Sequence, residues 1–170
     1  MDLLVGGETS PACVDCPTSK TSLAGATEQD DCQCGAGYTG TDTCTQCTEG
    51  TYKAVLGSAE CQICPEGSAN DLSFTTCICE PGFEPDGVNG CQLCATGTYK
   101  AESGSDPCHT CPALTTSPQG STSVNDCVCA SNYYDTTGTC TACPTGKFSK
   151  AGSTAAADCQ CGAGYTGTDT

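Results

Sequence analysis

Large apolar residues are scattered singly along this 170-residue chain, Tyr52, Phe83, Tyr99 and Phe148 among them, between clusters of Gly, Pro, Ser, Thr, Asn and Asp. No window repeats apolar residues at the 3.6-residue spacing of an amphipathic helix. The intervening clusters are turn formers. Short strand pairs are predicted at Thr51 to Ala54, Thr98 to Ala101 and Lys147 to Ser149, where a β-branched or aromatic residue sits beside a turn. The pattern therefore predicts mostly coil with scattered strands of roughly two to four residues.

Leu, Ile, Val and Phe together number 18 and Trp is absent, so no conventional core is available. Twenty cysteines change that picture. They form Cys-x-x-Cys and Cys-x-Cys pairs from Cys13 to Cys161, and a chain this poor in apolar surface is held by cross-links instead. Closing a loop of about 15 residues removes denatured-state entropy worth roughly 3 kcal/mol. Disulfides at this density persist outside the cell, which places the chain in an extracellular or cell-surface compartment.

Three loop types recur. One is Cys-x13-Cys carrying Gly-Thr-Tyr-Lys-Ala, at Cys47 to Cys61 and Cys94 to Cys108. A second, usually opening Cys-Pro, spans Cys16 to Cys32, Cys64 to Cys77, Cys111 to Cys127 and Cys143 to Cys159. The third spans Cys34 to Cys44, Cys79 to Cys91 and Cys129 to Cys140. The chain divides into a segment 1–12 outside the repeat, a partial module 13–44, modules 45–91 and 92–140, and a partial module 141–170 that echoes 14–43. Asp31 to Thr43 returns letter for letter as Asp158 to Thr170, and the same offset carries Cys13 and Cys16 onto Cys140 and Cys143.

Six cysteines allow fifteen connectivities. After Cys140 the chain omits the Gly-Thr-Tyr-Lys loop, and an even cysteine count survives that omission only if the loop closes on itself, which supports Cys47–Cys61 and Cys94–Cys108. For the rest, nested closure (Cys64–Cys77, Cys79–Cys91) and crossed closure (Cys64–Cys79, Cys77–Cys91) both fit the spacing, with the nested set favoured. The nested scheme adds Cys16–Cys32, Cys34–Cys44, Cys111–Cys127, Cys129–Cys140 and Cys143–Cys159, and leaves Cys13 and Cys161. These leftovers are of complementary type, one the receiver and the other the second member of a Cys-x-Cys. Two expectations stand for them: a head-to-tail bond between protomers, or partners in flanking chain, since Met1 to Gly7 has no basic, extended apolar leader and a cysteine equivalent to Cys44 is due next.

At Cys47-Thr-Glu-Gly-Thr-Tyr-Lys, Cys61-Gln-Ile-Cys64-Pro and Cys77-Ile-Cys79-Glu-Pro-Gly-Phe83, with Cys91 beyond, the chain resembles the cysteine-rich repeat of ephrin receptors, the GCC2/GCC3 type. That repeat is similar to tumour necrosis factor receptor and EGF-like modules. The resemblance implies an elongated tandem array of cystine-stapled modules, as in receptor ectodomains and in surface or flagellar-hair proteins of single-celled eukaryotes. It transfers no ligand-contact residue.

Five Lys, no Arg and twenty carboxylates give a net charge of −15, which repels nucleic acid and anionic lipid. No stretch has the roughly 18 apolar residues of a membrane span, so no direct insertion is expected. Cys-x-x-Cys is also a metal-thiolate spacing, but evenly spread pairs do not make a cluster, and no metal or cofactor is expected. His109 is the single histidine and has no partner for acid–base work. An enzyme is not expected. EGF-type acidic calcium entries and Asn-x-Ser/Thr are absent, while 41 Ser and Thr residues admit O-linked sugar. The sequence points to an extracellular structural protein, a rod or stalk subunit self-associating into a fibre, with other surface proteins as further partners. A ligand-binding receptor ectodomain and a surface-coat antigen are the alternatives.

Overall fold

In the computed structural model, residues 13–88 and 90–167 are described. Nine antiparallel strand pairs follow one another among them, each pairing two successive strands. Hairpin 1 pairs Lys20–Thr21 with Gln33–Cys34, hairpin 2 Tyr38–Thr39 with Thr45–Gln46, and hairpin 3 Thr51–Tyr52 with Gln62–Ile63. Hairpin 4 pairs Ser68–Asn70 with Cys77–Cys79, hairpin 5 Phe83–Pro85 with Cys91–Leu93, and hairpin 6 Thr98–Tyr99 with His109–Thr110. Hairpin 7 pairs Thr115–Thr116 with Val128–Cys129, hairpin 8 Tyr133–Asp135 with Cys140–Ala142, and hairpin 9 Lys147–Phe148 with Gln160–Cys161.

One disulfide braces each hairpin, in the order Cys16–Cys32, Cys34–Cys44, Cys47–Cys61, Cys64–Cys77, Cys79–Cys91, Cys94–Cys108, Cys111–Cys127, Cys129–Cys140 and Cys143–Cys159. This is the nested arrangement. Strands of two or three residues supply too few ladder bonds to hold a hairpin in water, so the sulfur bridge at each base does so.

A local rule starts every hairpin. Three residues after the first cysteine stands a residue of positive φ: Ser19, Gly37, Gly50, Gly67, Gly82, Gly97, Leu114, Asn132 and Gly146, and again Gly164 after Cys161. The following residue donates its N–H back to the carbonyl just after that cysteine, as in Tyr38 to Gly35 (3.2 Å) and Ser68 to Pro65 (3.1 Å). Positive φ at the third position alone marks a type II turn, which glycine fits best. In each of the nine hairpins the strand begins at the next residue. The strands expected through Ala54, Ala101 and Ser149 end earlier, at Tyr52, Tyr99 and Phe148, because Lys53, Lys100 and Ser149 turn to bond a neighbouring hairpin.

Three 3₁₀ turns, Gln29–Asp31, Val124–Asp126 and Ala156–Asp158, lie just before the closing cysteines of hairpins 1, 7 and 9. Helical periodicity could not show them, because a carboxylate makes them. Asp31, Asp126 and Asp158 each accept two backbone N–H groups, from residues 27 and 28, 122 and 123, and 154 and 155. These bonds hold the Asp31 carboxyl below the usual aspartate range. Part of the acidity that reads as a solvated surface thus serves as turn chemistry.

The buried apolar positions are cystine sulfurs: Cys34, Cys47, Cys79, Cys94, Cys111, Cys129 and Cys159. Leu72, Ile63 and Val88 lie in solvent. The chain exposes 11714 Å², against about 7,700 Å² expected for a compact globule of 17.0 kDa. No single centre gathers the chain. Hydrogen bonds between hairpins join chain neighbours, so the array is close to one-dimensional.

Candidate functional site: the joint between hairpins

The repeated chemistry of this chain lies where one hairpin meets the next. At Cys44-x-x-Cys47 the residue of positive φ in hairpin 2, Gly37, donates its N–H to Lys53 O in hairpin 3 (2.8 Å), and its carbonyl accepts from Cys47 N–H (2.8 Å). The same two bonds recur between Gly82, Lys100 and Cys94, between Gly97, Ser117 and Cys111, and between Asn132, Ser149 and Cys143. At Gly50 the acceptor is the side chain of Asn70 (2.8 Å). The joining residue always sits three places after the positive-φ residue of the second hairpin.

Its side chain then reaches back. Lys53 Nζ donates to Tyr38 O and Gly57 O (2.6 Å each) and to Gly35 O (3.4 Å). Ser117 Oγ donates to Thr98 O (2.8 Å) and Ser149 Oγ to Tyr133 O (2.7 Å). Tyr38, Thr98 and Tyr133 hold one equivalent position, the first strand residue of the preceding hairpin. Lysine and serine thus serve the same acceptor from different lengths. Lys100 Nζ instead bonds Gly104 O (2.5 Å) within its own loop. Lys53 and Lys100 are 3% and 4% exposed, and burial pushes the Lys53 ammonium down from its ordinary value. The Gly-Thr-Tyr-Lys-Ala motif, legible in the sequence as a repeat, carries a buried pin that sequence reasoning missed. The signal available was the burden of two lysines among five recurring at one register.

Next-nearest hairpins also touch. A Cβ at Gly37 would stand 2.4 Å from Ser73 O, and one at Gly82 2.5 Å from Gly120 O. Hairpin 2 therefore seats on hairpin 4, and hairpin 5 on hairpin 7, through glycines that admit no side chain. After Cys140, where the Gly-Thr-Tyr-Lys loop is omitted, hairpin 9 takes the place of that loop and joins hairpin 8 by the same bonds, with Ser149 for lysine.

Cys13 and Cys161 are not bonded; Cys13 is exposed and Cys161 half-buried. His109 lies exposed on its strand with its ring 5.9 Å from that of Tyr99. Among the described residues, no three His, Cys, Asp or Glu side chains gather in a metal-binding group, and no helix is long and apolar enough to cross a membrane.

No curated protein matches this chain. The family described as tyrosine-protein kinase ephrin type A/B receptor-like matches residues 36–78 and 83–127, just over half of the chain. The first segment spans hairpins 2 and 3 and all of hairpin 4 but Cys79, and the second spans hairpins 5 and 6 and the first strand of hairpin 7. They cut the repeat at Cys-x-Cys, whereas a division at 45–91 and 92–140 cuts the same cycle at Cys-x-x-Cys. With its nine disulfides and its tandem repeats, this extracellular chain belongs to the ephrin type A/B receptor-like family, a cysteine-rich repeat family and not an enzyme family.

Proposed function

We propose that this chain is an extracellular structural subunit, a rod or stalk that assembles head to tail into a fibre. The observation that carries the reading is the return of Asp31 to Thr43 at Asp158 to Thr170, in the register that also places Cys13 and Cys16 on Cys140 and Cys143. A repeat that comes back into phase presents like surfaces fore and aft, and a heterologous contact that does not close yields a filament. Contacts restricted to near neighbours supply the one-dimensional body such a subunit needs.

A receptor ectodomain is the second reading, favoured by the family's receptor-like description. Against it stand the absence of Arg and Trp and the scattering of the six Tyr, since these three types most often anchor protein partners in clusters. Electron microscopy of native material tests the choice. Filaments with one protomer per axial step are expected, and isolated rods at every concentration would overturn the fibre.

A further inference from the structure

A thiol opens a disulfide by attacking one sulfur and expelling the other as thiolate, so the rate depends on access to the first and on solvation of the second. A buried sulfur leaves poorly, because burial disfavours its charged form. Seven of the eight bridges in hairpins 2 to 9 have one buried cysteine. Cys64–Cys77 is the eighth, and both of its cysteines are half-buried. Cys16–Cys32 also lacks a buried half, at a hairpin that adjoins the undescribed residues 1–12.

Hairpin 7 shows the contrast, since it is the counterpart of hairpin 4 in the repeat. Its bridge has a sequence separation of 16, with the 3₁₀ turn Val124–Asp126 before the closing cysteine, whereas the loop of hairpin 4 is shorter, with a separation of 13. Cys111 is 7% exposed. Cys77 instead lines an open cleft of about 560 Å³ beside Tyr52, Pro65, Ser68 and Thr76. Attack from the cleft falls on Cys77 and expels Cys64, which has water to receive its charge.

The same loop holds hairpin 4 against its neighbours. Asn70 Oδ1 accepts from Gly50 N–H (2.8 Å), Phe74 O accepts from Lys53 N–H (2.9 Å), and Ser73 O stands 2.4 Å from where a Cβ would lie at Gly37. All three acceptors lie between Cys64 and Cys77. Phe74 holds a φ of 59°, a left-handed conformation that is costly for a phenylalanine and relaxes once the loop is open. Gly37 N–H remains bonded to Lys53 O, so hairpins 2 and 3 stay one unit.

We propose that Cys64–Cys77 is a redox latch: a dithiol reduces it ahead of the other bridges of hairpins 2 to 9, and its opening frees hairpins 2 and 3 from hairpin 4. The array gains a flexible point there. One thiolate of the dithiol bonds Cys77 Sγ as the S–S bond breaks, and Cys64 leaves and takes a proton. The second thiol then displaces Cys77, so two electrons and two protons pass to the protein and the reductant departs as its own disulfide.

The test is titration of the folded full chain with dithiothreitol. Freed thiols are alkylated with light iodoacetamide, the rest with heavy reagent after full reduction, and the peptides are mapped. Cys64 and Cys77 are expected to take the light label at least tenfold faster than Cys111 and Cys127. With that bridge open, the amides of Gly50 and Lys53 are expected to exchange with solvent at least tenfold faster, while those of Gly97 and Lys100, their counterparts, hold their rates. Gly37→Ala, whose methyl presses on Ser73 O, should speed labelling of Cys64 and Cys77 at least threefold, because seat and latch are linked in both directions. Equal labelling of the two bridges, protected Gly50 and Lys53 amides after opening, or unchanged labelling in folded Gly37→Ala would each overturn the latch. If Gly37→Ala does not fold, Cys64→Ser with Cys77→Ser replaces it, and must give the exchange pattern of the reduced wild type with the other eight bridges formed.

Discussion

Leu114 occupies a position poorly suited to its type. It holds a φ of 66° at the turn that opens hairpin 7, where six of the other eight hairpins have glycine. A γ-branched side chain in that region costs on the order of 1–2 kcal/mol, and Leu114 is 49% exposed, so little burial offsets it. Leu114→Gly is expected to raise stability by about 0.5–1 kcal/mol after the entropy glycine loses on folding, measured by denaturant unfolding with disulfides intact. The turn itself was legible as a cluster of turn formers. Its fixed place three residues after a cysteine was not, because Ser19, Leu114 and Asn132 hide the glycine pattern and only backbone angles reveal the common conformation.

At the scale of the element, the joint decides how hairpins add. Lys53 stabilises its joint by satisfying the carbonyls of Tyr38 and Gly57, which are otherwise left without a donor. Lys53→Leu is expected to cost about 1–3 kcal/mol, the range for abandoning buried acceptors. Lys53→Ser should cost less, since serine already serves the equivalent acceptor at Ser117 and Ser149. Comparing the thermal unfolding midpoints of the two variants checks this, and equal losses would mean that the lysine stem, not its hydrogen bonds, carries the effect. Strand existence and shortness were readable from aromatic and β-branched residues beside turns, but the residue at which each strand stops was not. The strands at Thr51, Thr98 and Lys147 end where a neighbouring hairpin claims the backbone of Lys53, Lys100 and Ser149, and that neighbour is outside any local window.

For the whole molecule, sulfur bridges replace a common core, and loss at one site should therefore stay local. Replacing Cys47 and Cys61 together with Ala opens a loop of sequence separation 14, worth about 3 kcal/mol of denatured-state entropy. Faster amide exchange is expected in hairpins 2 to 4, which Gly37 and Lys53 tie together, with hairpins 5 to 9 left protected. Exchange rising throughout the chain would show a cooperative body instead of a linear array.

The sequence alone determined that cross-links stand in for hydrophobic burial, that the chain repeats, and that its compartment is oxidising, because cysteine number, spacing and the scarcity of Leu, Ile, Val and Phe are local facts of composition. Tertiary structure decided how the repeats meet. Which carbonyl Lys53 reaches, and why Gly37 and Gly82 bear no side chain, depend on backbone groups from different hairpins. Those groups come together only in three dimensions, since a hydrogen bond is set by distance and direction and not by order along the chain.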